Sequence, residues 1–124
     1  MLVTLVDEMP GAGQHPRGTL SIAAPPITVR DLIRARLELE QESIRHGDPT
    51  GRSAEKWLVA PRRRGPAQPA PNLEQMTEAA LAGFMRGSFL LLVQGRQATA
   101  PDEVITLAEA TEAVFLRLVP LQGG

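Results

Sequence analysis

The chain has 124 residues, of which 43% are hydrophobic and 22% charged, a balance typical of one compact globular domain. Its formal net charge of -1 provides no overall positive field, so neither nucleic acid nor an anionic membrane is an expected partner. The absence of cysteine excludes disulfides, thiolate metal sites and a cysteine nucleophile. No apolar stretch approaches the ~20 residues of a membrane span, and the N-terminal apolar run is too short for a signal peptide. We therefore expect a cytoplasmic protein.

The first segment is predicted to form a strand hairpin. Residues 2–6 are rich in strand-forming side chains, and residues 18–22 alternate between apolar and polar side chains, as a half-buried strand does. Glycine and proline between them predict a long loop. His15 lies in this loop without a nearby acidic or cysteine partner, so we expect no metal site there.

A helix is predicted to follow the hairpin. Thr28 and Asp31 have the spacing of a capping-box variant, shortly after two prolines, and this indicates the first turn. Arg34 and Glu38 are spaced for an i,i+4 ion pair on the exposed side. The opposite side carries an apolar stripe that should face a core, formed by Val29, Leu32, Ile33 and Leu37.

Residues 47–87 are predicted to be an insertion. The first part is dense in proline and positive charge, which favours a loop with little to bury. Trp57 is predicted either to pack back on the domain or to anchor a partner, because an exposed tryptophan beside two aliphatic residues is costly. The run of Arg62, Arg63 and Arg64 is interpreted either as a solvated loop or as a contact for phosphate or an acidic partner.

The second part of the insertion predicts an additional short helix over residues 73–86. Asn72 is suited to the N-cap, and Gly87 to the position after the last turn. One stripe of this helix is apolar and contains Leu73, Met76, Ala80 and Phe84.

The rest of the chain is predicted to return to strands. Residues 89–93 form a near-continuous apolar run typical of a central strand, and Gly95-Arg96 predicts a tight turn into the next short strand. A strand is expected at 104–107, a turn at 109–112 and the last strand at 113–119. The predicted fold class is therefore α+β, with two strands, a helix, the insertion and three further strands.

The last five residues are Pro120, Leu121, Gln122, Gly123 and Gly124. Because they follow a predicted strand, a sheet should fix the base of this tail while its tip stays free. Glycine has no side chain, so the tip could enter a channel that admits only backbone. We expect residues 1–119 to form a single domain, residues 120–124 to form a flexible tail, and the Gly124 carboxylate to be the functional group.

This order of elements resembles the ubiquitin-like β-grasp fold, a mixed sheet packed on one main helix. Residues 119–124 resemble the end of ubiquitin, Leu-Arg-Leu-Arg-Gly-Gly after a strand, with Pro120 and Gln122 in place of the two arginines. Residues 89–97 resemble the segment of ubiquitin that contains its Phe-Ala-Gly-Lys-Gln turn. The opening residues 1–8 and the ending look more specifically like bacterial ubiquitin-like modifiers. Those modifiers occur in operons with E1-like, E2-like and deubiquitinase-like enzymes and are associated with antiphage defence.

The resemblance implies that the chain is a substrate and not an enzyme. An E1-like enzyme would use ATP and Mg²⁺ to join Gly124 to AMP, and would then pass the acyl group to its own cysteine. The other implied partners are an E2-like enzyme, target proteins and a deubiquitinase-like protease, and no cofactor is bound by the chain itself. Lys56 is the only lysine, so it is the one side-chain amine at which a polymer could grow.

Two alternatives stay open on the sequence. A sulfur carrier of the ThiS or MoaD type has the same fold, adenylation and Gly-Gly tail, but ends as a thiocarboxylate. Such carriers are normally shorter than this chain and lack the insertion. The other alternative is a β-grasp interaction module that is not conjugated and in which the two terminal glycines have no role.

Overall fold

The computed structural model describes residues 2–22, 27–45, 58–61, 72–105, 111–118 and 121–123. The elements, in chain order, are β1 (Leu2–Met9), β2 (Gly13–Ser21), β3 (Ile27–Thr28), α1 (Val29–Arg45), β4 (Val59–Pro61), α2 (Leu73–Arg86), β5 (Phe89–Val93), β6 (Arg96–Gln97), β7 (Val104–Ile105), β8 (Thr111–Arg117) and β9 (Leu121–Gly123). Among these described residues, neither helix is both long enough and apolar enough to cross a membrane.

The main sheet has five strands in the order β2-β1-β8-β5-β6. β1 and β2 form the predicted antiparallel hairpin, and β5 is antiparallel to both of its neighbours. β8 lies in the centre of the sheet and runs parallel to β1. Two further pairs, β3 with β7 and β4 with β9, lie outside this sheet. The predicted α+β class is confirmed, and the arrangement is compatible with a β-grasp-like fold.

Helix α1 packs on the sheet through the predicted apolar stripe, whose four residues are fully buried in the core. Its start is also as predicted. The Asp31 amide donates to Thr28 Oγ1 over 3.1 Å, and the Thr28 amide donates to Asp31 Oδ2 over 3.3 Å. The expected pair on the exposed side forms as well, with Arg34 Nε 3.7 Å from Glu38 Oε1.

Helix α2 is part of the core, although it falls within the predicted insertion. Met76, Ala80 and Phe84 are buried in the same cluster as the α1 stripe, and α2 contacts α1. Asn72 accepts from the Gln75 amide over 2.7 Å in a reciprocal capping box, and Gly87 adopts φ 79° at the other end, so both predicted caps are confirmed. The predicted insertion therefore contributes to the core through α2, and also through Leu58.

Two predicted turns were misplaced. The tight turn lies at Gln94-Gly95, one residue earlier than predicted, because both residues have positive φ, 52° and 76°, as a type I′ hairpin requires. Thr111 and Glu112, which were predicted to lie in a turn, are the first two residues of β8. Thr111 is β-branched, buried and paired with Val3 of β1, so pairing across the sheet determines where the strand starts.

Candidate functional site

Most of the predicted tail is paired with another strand of the domain. Its residues Leu121, Gln122 and Gly123 form β9, which pairs in parallel with Val59, Ala60 and Pro61 of β4 and also contacts α2. The other two predicted tail residues, Pro120 and Gly124, lie outside the described residues. The pairing of β9 with β4 does not test how much the tail moves, so the flexibility of residues 120–124 stays a prediction.

The base of the tail is fixed to the main sheet. The Leu118 amide, directly after β8, donates to the Ser88 carbonyl oxygen over 2.9 Å. The preceding side chain, Arg117, donates from Nη1 to Asp7 Oδ2 of β1 over 3.2 Å. The point at which the chain leaves the sheet is therefore held by both backbone and side-chain contacts.

The strand that receives the tail is anchored by the residue before it. Leu58 is only 2% exposed and belongs to the hydrophobic core. Its backbone N–H donates to Glu40 Oε1 of helix α1. β4 is thus held to the domain at its N-terminal end by an apolar side chain and by a carboxyl acceptor.

Glu40 belongs to a buried charge cluster, which we define as Asp7, Arg17, Arg36, Glu40 and Arg117. Asp7 is fully buried and accepts from three arginines: Arg36 Nη2 at 2.9 Å, Arg17 Nε at 3.0 Å, and Arg117. Arg36 Nη1 donates to the second Asp7 oxygen, so this pair is bidentate. The Arg36 guanidinium also lies 4.6 Å from the centre of the Phe115 ring, where a cation is favourable.

The two carboxylates of the cluster have opposite pKa shifts. Burial alone raises the pKa of Asp7, but the hydrogen bonds and positive charges of its arginines outweigh burial and bring the pKa below 3.8. Burial raises the pKa of Glu40 from 4.5 to about 7, because the Arg36 charge, with Nε 3.7 Å away, compensates only in part. Glu40 Oε2 is buried without a hydrogen-bond partner among the described residues, which also favours the neutral acid.

These shifts predict a pH dependence of stability that is specific to Glu40. Between pH 4.5 and about 7 the folded chain retains a proton that the unfolded chain releases, so stability should fall as the pH rises. The total fall is at most about 3 kcal/mol. Glu40→Gln should remove this slope and keep an acceptor for Leu58, which urea denaturation at pH 4.5 to 8 can measure. The Asp7 contribution lies elsewhere, because it is lost only as the pH falls below 3.8.

Glu38→Gln is the matched control, because Glu38 is an exposed glutamate on the same helix. It should keep the slope of the wild type. An equal slope in the wild type and Glu40→Gln would contradict the assignment of the effect to Glu40.

The charge cluster was not predicted, although the sequence contains a signal for it. Asp7 continues the alternation of the inward-facing Val3 and Leu5 along β1. Arg36 and Glu40 continue the spacing of the apolar stripe of α1. A charge at a position that the pattern reserves for the core indicates a buried ion pair.

Other predicted site residues, namely Lys56, Trp57, Arg62, Arg63 and Arg64, lie outside the described residues. His15 lies in β2 and not in the predicted loop, and its Nε2 is 2.8 Å from the Ala12 carbonyl oxygen. In the part of the chain that the structure describes, no group of three or more histidine, aspartate or glutamate side chains is arranged to hold a metal ion. No protein-family model matches the chain, and no curated protein or solved structure matches it.

Proposed function

We propose that the chain is a bacterial ubiquitin-like protein modifier, whose Gly124 carboxylate is activated by an E1-like enzyme and conjugated to amines of target proteins. The observation that carries this proposal is the path of β8. This strand runs through the centre of the sheet, parallel to β1, and leads into the tail. The strand order, with α1 between the hairpin and β5, agrees with a ubiquitin-like β-grasp domain and supports the proposal.

The chemistry begins with the carboxylate, which is a poor acyl donor until it is activated. An oxygen of Gly124 attacks the α-phosphorus of ATP, and pyrophosphate leaves. The cysteine thiolate of the E1-like enzyme then attacks the acyl carbon, a C–S bond forms, and AMP leaves. After exchange onto an E2-like enzyme, a neutral lysine amine attacks the thioester, so that an amide forms and the thiol is released. The modifier supplies the acyl group and no catalytic side chain.

The domain holds the base of the tail in place, and the tip of the tail has no side chains. The contacts of Arg117 with Asp7 and of Leu118 with Ser88 set where the tail leaves the sheet. Gly123 adds no side chain to the backbone, which suits a narrow enzyme channel. A deubiquitinase-like protease would reverse the conjugation, and the resemblance to operon-encoded modifiers makes antiphage defence the proposed setting. Lys56 stays the one side-chain amine at which a polymer could grow, and the N-terminal amine is the other acceptor.

The proposal predicts that activation depends on Gly124. With the purified E1-like enzyme of the source organism, ATP and Mg²⁺, the chain ending at Gly124 should support pyrophosphate exchange and form an adduct that excess thiol releases. A chain that ends at Gly123, or that carries an added residue after Gly124, should lose both activities, because the acyl carbon is displaced by one residue from the position where the enzyme acts.

Matched unfolding curves serve as the control, since all three forms share the same core and should unfold at the same denaturant concentration. Undiminished exchange by the chain ending at Gly123 would refute the role of the terminal carboxylate.

A further inference from the structure

Strand β9 of the tail pairs with β4, and this pairing can control access to the tail. β9 is the segment that an activating enzyme must reach, and in the structure it is paired with Val59–Pro61. We propose that β4 is a docking strand for the chain's own tail, which withholds Gly124 from the activating enzyme until β9 separates from β4. This inference rests on the proposed function, because it describes the regulation of that same site.

The contact is built to be reversible. The β4–β9 pair has three residues in each strand and is parallel, and an isolated two-stranded ladder is marginal in water. Adjacent residues of a strand direct their N–H groups to opposite sides, and Pro61 has no N–H, so β4 can donate at most one backbone N–H to the tail. A ladder of this size can hold the tail and still open without unfolding the main sheet.

The surrounding contacts strengthen this short ladder by keeping its two strands together. Leu58 fixes the start of β4 through the core and through its hydrogen bond to Glu40. Leu118 fixes the base of the tail through Ser88, and only residues 119 and 120 connect it to β9. A short connection between two fixed points gives the tail a high effective concentration at β4.

Docking should lower the apparent affinity of the activating enzyme. When only a fraction of the molecules has a free tail, the apparent dissociation constant rises by the inverse of that fraction. Release of β9 should therefore lower KM in pyrophosphate exchange and leave kcat unchanged.

Ala60→Pro should open the contact selectively, because it removes the backbone N–H in the middle of β4 and leaves the sequence of the tail and Leu58 unaltered. Ala60→Val is the matched control, since it keeps the N–H and favours a strand. In the wild type and Ala60→Val, the Gly123 amide should be protected from hydrogen exchange. In Ala60→Pro it should exchange at the rate of an unfolded peptide, and KM should fall by roughly 3- to 10-fold.

A disulfide between β4 and β9 tests the effect of locking the tail in its docked position. Ala60 and Gln122 are register partners, and paired strands lie ≈ 4.7–4.9 Å apart, within the Cα range of a disulfide. The chain has no other cysteine, so Ala60→Cys with Gln122→Cys gives an unambiguous pair. Oxidation should abolish pyrophosphate exchange, and reduction should restore it; the single Gln122→Cys variant controls for the change in the tail.

The outcomes separate this inference from the proposed function. An unprotected Gly123 in the wild type, or a crosslinked chain with full activity, would overturn the docking strand while Gly124-dependent activation still stood. Protection of Gly123 without activation of any variant would overturn the proposed function, and with it the withholding role, and would leave only the contact. Protection that is lost in Ala60→Pro together with a lowered KM would support both.

Discussion

Asp7→Asn should lower the free energy of unfolding by ~3–5 kcal/mol, the cost of breaking a buried ion pair by removing one partner. Asp7 is fully buried and accepts from Arg17, Arg36 and Arg117, and the Arg36 side chain is only 2% exposed. The substitution keeps the size of the side chain but removes the negative charge among three guanidinium groups. Urea denaturation at pH 7 measures the loss.

Asp102→Asn is the matched control for this prediction. The Asp102 side chain is 86% exposed, and its carboxylate lies 3.5 Å from Arg30 Nε. Such a surface pair contributes at most about 1 kcal/mol. Similar losses for the two substitutions would mean that the charge cluster does not hold the domain together.

Leu37→Ala should lower the free energy of unfolding by ~2–5 kcal/mol, because it removes buried methyl groups and leaves a cavity. Leu37 is fully buried in the core between α1 and the sheet, alongside Ile33. A domain is stable by only ~5–15 kcal/mol, so this single change should shift the urea midpoint strongly.

Glu38→Ala, the adjacent exposed position on α1, tests whether the effect comes from the buried face. It removes one surface ion pair and should cost less than about 1 kcal/mol. If Glu38→Ala destabilises the chain as much as Leu37→Ala, the buried stripe has been assigned to the wrong side of the helix.

Local features of the sequence were sufficient to predict the helices and most strands. The caps at Thr28 and Asn72 depend on residues only three apart, and the stripe that includes Leu37 repeats within one helix. For the same reason β1 and β5 were predicted close to their observed positions, whereas the hairpin loop was predicted too long, because β2 already begins at Gly13 and pairs with the end of β1. The errors at Gln94 and Thr111 arose where φ angles and pairing with a distant strand set the boundary.

Contacts between distant parts of the chain could not be predicted in this way. Asp7 and Arg36 meet only after the hairpin and helix have packed together, and β4 meets β9 across most of the second half of the chain. Periodicity within one element carries no information about which strand a short segment will join. The apolar stripe of α2 was predicted from its spacing, but the spacing does not say that this helix packs against α1.

Peptide mass spectrometry of the conjugates tests whether Gly124 becomes an acyl group on another protein. Trypsin cleaves after Arg117, so a conjugated target should carry residues 118–124 on a lysine, with the Gly124 carbonyl joined to the lysine nitrogen. We predict such branched peptides from source cells and from the reconstituted reaction. A Gly124 that is recovered only as a free carboxylate, or with one oxygen replaced by sulfur, would contradict the account.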